Sequence, residues 1–174
     1  GNLLAIEVMS SGRPIGSAER EILAGYTGWG GLSIENVASA LPPKWTPTSD
    51  ALIHEYYTPP LLCLSLARVL RKYVDAIART KGTVRALEPS AGIGRFVNAL
   101  SFGSYKAVSW TAVEYSPISA AILRAMRPDI RVVEGSFERF VAAEESALTG
   151  NIDLVVANPP YGERGASFND DPNR

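Results

Sequence analysis

Three short segments of the 174-residue chain carry residue types that can bind a small ligand or hold a reacting amine. The first segment is Glu88-Pro89-Ser90-Ala91-Gly92-Ile93-Gly94-Arg95-Phe96. Its two closely spaced glycines let the backbone turn sharply, so that N–H groups at the start of a helix can approach a ligand. The dinucleotide-binding pattern has a third glycine where this chain has Val97. The glycine spacing alone therefore indicates either a ligand-binding loop or a plain tight turn.

A carboxylate and an aromatic side chain stand at the ends of the next two predicted strands. Glu114 ends the second strand, and a carboxylate at such a position can accept hydrogen bonds from both hydroxyls of a ribose. The third strand ends in Glu134-Gly135-Ser136-Phe137, where Phe137 either lies against a purine ring or belongs to the core. The spacing of Glu114 from Gly92 and Gly94 favours a nucleoside ligand.

The last segment, Asn158-Pro159-Pro160-Tyr161-Gly162, can hold a planar amine. Its two prolines fix the backbone and remove two N–H donors, which leaves carbonyl groups to accept hydrogen bonds. The Asn158 side-chain oxygen and the Pro159 carbonyl can both accept from an NH2 group while Tyr161 stacks on the attached ring. The same residues are also common as a bare turn after a strand. Their predicted position beside the strand that leads into the glycine loop favours one shared cleft.

The elements around these segments predict an α/β fold with a doubly wound, mostly parallel, Rossmann-like sheet. Apolar residues recur at three- and four-residue steps from Pro60 to Ile77, which indicates an amphipathic helix. Beyond it, short apolar strands alternate with helices, an order typical of a parallel sheet with ligands at the carboxyl ends of its strands. The predicted strands are 83–88, 108–114, 130–133 and 152–157, and the predicted helices are 93–100, 117–125 and 137–148.

Residues 1–50 are predicted to form an N-terminal extension of a core domain that covers residues 51–174. A short helix is expected from Ser17 to Gly25, with Ser17 as its candidate N-cap. Residues 25–31 contain four glycines and residues 41–47 contain three prolines, so that both stretches are expected to be irregular. We expect aromatic side chains to attach this extension to the core domain.

Composition excludes several classes of protein. Seventeen Lys and Arg against eighteen Asp and Glu give a net charge of -1, so any nucleic-acid contact must be local. The single cysteine, Cys63, and the single histidine, His54, cannot form an internal disulfide or a His/Cys zinc cluster, and no metal site is expected. No apolar run reaches the roughly 18 to 20 residues that span a bilayer. With no signal-peptide pattern either, we expect a cytoplasmic location and no membrane partner.

Taken in their order along the chain, the motif segments resemble those of the N6-adenine DNA methyltransferases of restriction-modification systems, which use S-adenosylmethionine. Tyr56-Tyr57-Thr58-Pro59-Pro60 is similar to the N-terminal cofactor motif of that family. The Glu88 to Phe96 segment is similar to its glycine motif, and Asn158-Pro159-Pro160-Tyr161 to its catalytic motif. More loosely, residues 26–32 resemble the leader of the methylase segment in large phage- and plasmid-borne methylase–helicase proteins, which suggests a mobile-element origin.

The resemblance implies S-adenosylmethionine as the cofactor and a role for each matched residue. The methionine end would contact Thr58, Pro59, Glu88 and the glycine loop, Glu114 would hold the ribose, and Phe137 the adenine ring. Ser136 stands where the family often has an acid for the amine of that ring. Asn158 and Pro159 would accept hydrogen bonds from the target amine, and Tyr161 would stack on a base swung out of the duplex. The cofactor-binding residues expected in full are Tyr57, Thr58, Pro59, Glu88, Pro89, Ser90, Ala91, Gly92, Gly94, Phe96, Glu114, Ser136, Phe137 and Asn158, and the catalytic residues are Asn158, Pro159, Pro160 and Tyr161.

Three functions stay open at this point. The first is adenine-N6 methylation of DNA, by one in-line methyl transfer without a metal or a covalent intermediate. The second is methylation of a glutamine amide in a protein, whose family shares the Asn-Pro-Pro-Tyr turn, although Glu88-Pro89 and the upstream Tyr-Tyr-Thr-Pro favour DNA. The third is a catalytically silent cofactor- or DNA-binding module, such as an antirestriction scaffold. The family's sheet continues after the catalytic motif, so we expect DNA as a partner and a further domain or chain that completes the sheet and recognises the target.

Overall fold

The computed structural model describes residues 1–35, 39, 41–101 and 107–159. Within these residues, four parallel strands form one sheet in the order β3-β2-β1-β4. The strands are β1 (Val84–Glu88), β2 (Val108–Glu114), β3 (Arg131–Glu134) and β4 (Leu154–Val155). The predicted α/β fold with a parallel sheet is therefore confirmed. The fourth strand is shorter than the predicted 152–157, because only Leu154 and Val155 lie in register with β1.

The helices that follow the strands agree closely with the periodicity of the sequence. Ser116 and Ser136 cap the helices that begin at Pro117 and Phe137, since their hydroxyl oxygens accept the N–H groups of Ser119 and Arg139. The helix predicted over 93–100 begins only at Arg95, because Gly94 before it has a left-handed conformation. The helices in chain order are α1 (Asn2–Ser10), α2 (Ser17–Ala24), α3 (Ser49–His54), α4 (Pro60–Lys81), α5 (Arg95–Ala99), α6 (Pro117–Met126) and α7 (Phe137–Leu148).

Helices cover both faces of the sheet. On one face, Ala86 of β1 and Trp110 of β2 pack in a buried cluster with residues of α4 and α5. On the other face, Leu87 and Val113 pack against Phe140 of α7. Because successive side chains of a strand point to opposite faces, this double cover explains why the neighbouring residues Ala86 and Leu87 are both buried. It also leaves the ends of the strands as the places where a ligand can reach the sheet.

The N-terminal segment is more regular than predicted. Residues 2–10 form α1, and Pro43–Trp45 form a short 3-10 helix inside a stretch that was expected to be irregular. The prediction missed α1 because its residues are apolar on nearly every side and show no helical period. The 3-10 helix is possible because proline is well tolerated in a first helical turn. The N-cap of α2 is Gly16 rather than Ser17, and its N–H donates to the Glu19 side chain at 2.9 Å.

Aromatic side chains attach the N-terminal segment to the rest of the fold. Tyr26, Trp29 and Trp45 are buried in one cluster with Ile93 of the glycine loop and Ile118 of α6. The cluster also takes in the buried face of α1. The N-terminal segment therefore contributes to the surroundings of the glycine loop. Across the described ranges, no helix combines the length and the apolar character that crossing a bilayer requires.

Candidate functional site

A small pocket lies where the carboxyl ends of β1 and β4 meet. The two strands are parallel neighbours with Leu87 opposite Val155, so the residues that follow them emerge at the same edge of the sheet. The pocket offers about 30 Å³ of space for water. It joins the upstream tyrosine segment, the glycine segment and the start of the Asn-Pro-Pro-Tyr segment. Its lining residues are Tyr56, Tyr57, Thr58, Glu88, Ser90, Ala91, Arg95, Phe96 and Asn158.

Glu88 is the acid among the lining residues of this pocket, and 2% of its surface is exposed. Burial raises the pKa of its carboxyl well above the usual value, against the backbone N–H of Val97, which lowers it. Among the described residues, Oε2 of Glu88 and the hydroxyl of Ser90 have no hydrogen-bond partner. A buried acceptor without a partner is costly, and such groups often mark the place of a ligand. An ammonium or hydroxyl donor of a ligand would satisfy Oε2.

The glycine loop has its shape because two of its residues cannot carry a side chain. Gly92 and Gly94 have φ values of 55° and 75°, in the left-handed region. A Cβ atom on Gly92 would lie 2.7 Å from Cε1 of Tyr57, and one on Gly94 would lie 2.5 Å from Cδ1 of Leu123. The loop is therefore packed between the upstream tyrosine segment and α6. The glycine segment and the upstream segment form one structural unit.

Glu114 holds this loop from the end of β2. Its Oε2 accepts the N–H of Gly92 at 2.6 Å, and its Oε1 accepts the N–H of Ser116 at 2.7 Å. Burial raises the pKa of Glu114 to about 7, although these two hydrogen bonds lower it. A carboxylate has about four acceptor sites, so two N–H donors still leave room for the hydroxyls of a ribose. The predicted ribose contact stays a prediction, and the structure adds a structural role for the same carboxylate.

Several predicted residues are not among those that line the pocket. Ser136 caps α7, and the ring of Phe137 packs on Phe140 with 6.3 Å between the ring centroids. Pro59 precedes α4, and its carbonyl accepts the N–H of Cys63. Pro159 is exposed, and Pro89, which follows Glu88, is half-buried. The last two predicted residues, Pro160 and Tyr161, lie outside the described residues. Within the described ranges, no three His, Cys, Asp or Glu side chains come together as a metal site.

Sequence reasoning missed a buried acid, Glu55, that connects the N-terminal segment to the pocket. Its Oε2 accepts hydrogen bonds from the Tyr26 hydroxyl and from the backbone N–H of Trp29, both at 3.2 Å. Its Oε1 accepts from the Ser119 hydroxyl at 3.3 Å, and the hydroxyls of Ser119 and Tyr57 are 2.6 Å apart. Because Tyr57 packs on Gly92, this set of contacts, here called the Glu55 network, links the N-terminal loop to the glycine loop. The only hint in the sequence is the glycine-rich Tyr26 to Gly31 loop, which must pass close to another part of the chain.

Arg95 is the second residue that the sequence did not assign to the site. Its Nη1 donates to the carbonyl of Thr58 at 3.2 Å, and its Nη2 donates to the carbonyl of Tyr26 at 3.3 Å. The guanidinium carbon lies 5.8 Å from the centroid of the Tyr57 ring. Its Nε is buried and has no partner among the described residues. The sequence places Arg95 inside the glycine segment, but nothing in the sequence says that its charge faces a pocket.

Comparison with known proteins gives one match along nearly the whole chain. No protein-family model matches. The protein called Defense against restriction protein B, from Escherichia phage P1, is 30% identical over 173 residues, which make up 98% of this chain and 6% of that protein. A solved type I restriction-modification system methyltransferase subunit from Streptococcus thermophilus has a TM-score of 0.47 and 20% identity, over 68% of this chain and 27% of that chain. The chain is thus similar, almost from end to end, to a segment of a phage protein that is named for defense against restriction, and it spans about 6% of that protein's length.

Proposed function

We propose that this chain binds S-adenosylmethionine and directs its methyl group to the N6 amine of adenine in DNA, as one part of a larger protein. Support comes mainly from the pocket at the carboxyl ends of β1 and β4. Three segments that are far apart in the sequence meet there, around the unpartnered Glu88 oxygen and the half-buried Asn158. These are the three segments that resemble the cofactor and catalytic motifs of adenine methyltransferases.

The residues of the pocket fit the chemical groups of this cofactor. Oε2 of Glu88 can accept from its ammonium group, and the Ser90 hydroxyl can bond a neighbouring polar atom. Glu114 lies at the other side of the glycine loop, where a ribose would reach it. The 30 Å³ pocket is smaller than the roughly 300 Å³ that ligand sites usually have. Binding therefore requires the pocket to widen, and Tyr56, with 62% of its surface exposed, is the most exposed of the lining residues.

The chemistry at the amine follows from the acceptors beside it. The cofactor, when bound, supplies a methyl group attached to a positively charged sulfur. The side-chain oxygen of Asn158 and the carbonyl of Pro159 accept hydrogen bonds from the two N–H groups of the amine, which turns the nitrogen lone pair toward the cofactor. In that transfer the bond from nitrogen to the methyl carbon would form as the bond from that carbon to sulfur breaks. Sulfur would keep the electron pair and leave as a neutral thioether, and the amine would release one proton to solvent. Tyr161 would hold the flipped base by stacking on it.

A catalytically silent module is the second candidate, and the phage relative is the observation that favours it. That relative is named for defense against restriction, and this chain corresponds to 6% of it. Methylation of a target base and physical shielding of DNA are both ways to prevent cleavage. A segment that binds the cofactor or DNA without transferring a methyl group would serve only the second.

One labelling experiment separates these functions. The purified chain is incubated with radiolabelled S-adenosylmethionine and either adenine-containing DNA, the same DNA with N6-methyladenine, or a glutamine peptide. We expect label only in the unmethylated DNA and a loss of about 100-fold or more in the Asn158→Ala variant, because the amine is no longer oriented. Asn151→Ala is the matched control, since Asn151 precedes β4 at the opposite end of the sheet, where it bonds Arg85.

The other outcomes are equally informative. Label in the peptide would replace DNA by a protein glutamine as the substrate. Cofactor binding in calorimetry without label in any substrate would show that this chain by itself binds the cofactor without transferring the methyl group, as the silent module does. If the chain neither binds the cofactor nor transfers label, the proposed function is wrong.

A further inference from the structure

We propose that Arg95 binds the carboxylate of the amino-acid end of the cofactor, while Glu88 binds the ammonium group of the same end. This inference rests on the proposed function, because it names how the ligand of that site is held. It assigns a binding residue that the motif resemblance leaves without a role.

The guanidinium of Arg95 is held in place before any ligand arrives. Gly94, with its φ of 75°, sets the direction in which the chain enters α5 at Arg95. Two hydrogen bonds then aim the side chain, one to the carbonyl of Thr58 and one to the carbonyl of Tyr26. The Tyr57 ring also lies beside the guanidinium, with its centroid 5.8 Å from the guanidinium carbon. A donor that is already oriented loses little side-chain freedom when it binds a ligand.

The positive charge of Arg95 has no counter-ion in the described part of the chain. No ion pair there involves Arg95. Its two aimed nitrogens bond neutral carbonyls, and the Nε–H is buried without an acceptor. A buried donor of a charged group that lacks an acceptor is costly, so a ligand that brings an anion there gains from it. Because Nε is buried, a compact carboxylate reaches it more readily than the phosphate of a duplex.

An acidic side chain without a cationic partner among the described residues lines the same pocket. Glu88 and Arg95 both line it, and they do not pair with each other. Both lie near the Cys63 thiol, whose pKa is raised by burial and by Glu88 and lowered by Arg95. One pocket thus presents a buried acceptor and a buried cationic donor that are separated from each other. An α-amino acid group, with an ammonium and a carboxylate on one carbon, can bridge two such groups, and neither an amine nor an acid alone can do so.

Two ligands that differ in one group test this inference. S-adenosylhomocysteine carries both the ammonium and the carboxylate, and S-adenosyl-3-thiopropylamine is the same molecule without the carboxylate. Calorimetry measures the affinity of both for the wild-type chain, for Arg95→Met, which keeps the side-chain bulk, and for Arg95→Lys, which keeps the charge without Nε. Arg127→Met is the control, because Arg127 also bonds a backbone carbonyl, that of Val97, and does not line the pocket.

We expect the wild-type chain to bind S-adenosylhomocysteine more tightly than the decarboxylated ligand by about 10- to 100-fold, the usual effect of a hydrogen bond to a charged group. Arg95→Met should remove that preference, and its affinity for the decarboxylated ligand should stay within about 3-fold of the wild-type value. Arg95→Lys should retain part of the preference, and Arg127→Met should keep all of it. A structural role of Arg95 would weaken both ligands equally, and that result overturns the inference. Equal affinity of the wild-type chain for the two ligands overturns it without any variant. If the wild-type chain binds neither ligand, the proposed function fails, and this inference fails with it.

Discussion

Glu55 is the residue whose removal tests most directly whether the N-terminal segment supports the pocket. Glu55→Ala removes the acceptor of three buried donors, namely the Tyr26 hydroxyl, the backbone N–H of Trp29 and the Ser119 hydroxyl. Leaving one buried donor unsatisfied costs about 1 to 3 kcal/mol. Ser119 can still bond Tyr57, so the three costs do not simply add. We expect the free energy of unfolding to fall by about 3 kcal/mol or more.

Urea unfolding, followed by tryptophan fluorescence, measures this loss, since Trp29 and Trp45 lie in the same buried cluster as Tyr26. With a slope of about 2 kcal/mol per molar urea, the midpoint should fall by about 1.5 M. The control is Glu7→Ala on the exposed side of α1, where a substitution should change stability by less than about 0.5 kcal/mol.

If Glu55→Ala cannot be purified in a folded state, Ser119→Ala provides a milder test, with an expected loss of about 1 kcal/mol. A loss for Glu55→Ala that equals the loss for Glu7→Ala would refute the reasoning, because the Glu55 network would then not contribute to stability.

Two further predictions concern the glycine loop. Gly92→Ala places a Cβ 2.7 Å from Tyr57 at a φ of 55°, so we expect it to lower the free energy of unfolding by about 2 kcal/mol or more and to weaken S-adenosylhomocysteine binding in calorimetry. The control is Gly82→Ala, which has a positive φ of 76° and no atom near its Cβ, and which should lower the free energy of unfolding by only about 1 kcal/mol. Equal losses for the two variants would argue against the close packing of Gly92 on Tyr57. The pKa of Glu114 rises from 4.5 in the unfolded chain to about 7 in the folded chain, so between these pH values the folded chain keeps a proton that the unfolded chain releases. The stability that Glu114 contributes through this proton is therefore complete below pH 4.5, and about 3 kcal/mol of it is lost as the pH rises to 7. Urea unfolding between pH 4.5 and 7.5 should therefore show a smaller fall in stability with pH for Glu114→Gln than for the wild-type chain, and an unchanged slope would contradict the assigned pKa.

The local elements of this protein could be read from its sequence alone. Strand β2 has its predicted bounds, Val108–Glu114, and α7 has its predicted bounds, Phe137–Leu148. These elements are predictable because their signals are local, namely apolar runs, helical periods and serine N-caps. The parallel order of strands and helices followed from the same signals. So did the meeting of the glycine segment and Asn158 at one edge of the sheet, because parallel neighbours end on the same side.

Only the tertiary structure decided which polar groups of the site have partners. The Glu55 network joins residues 26, 55 and 119, and no local pattern connects positions so far apart. Likewise, α1 is buried by packing rather than by an amphipathic period of its own. Arg95 bonds the carbonyls of Thr58 and Tyr26 while Nε lacks an acceptor, a distinction that depends on distances of a few ångströms. Residue types and their spacing determine which chemistry is available, whereas burial and hydrogen bonding between distant segments determine which groups are left to bind a ligand.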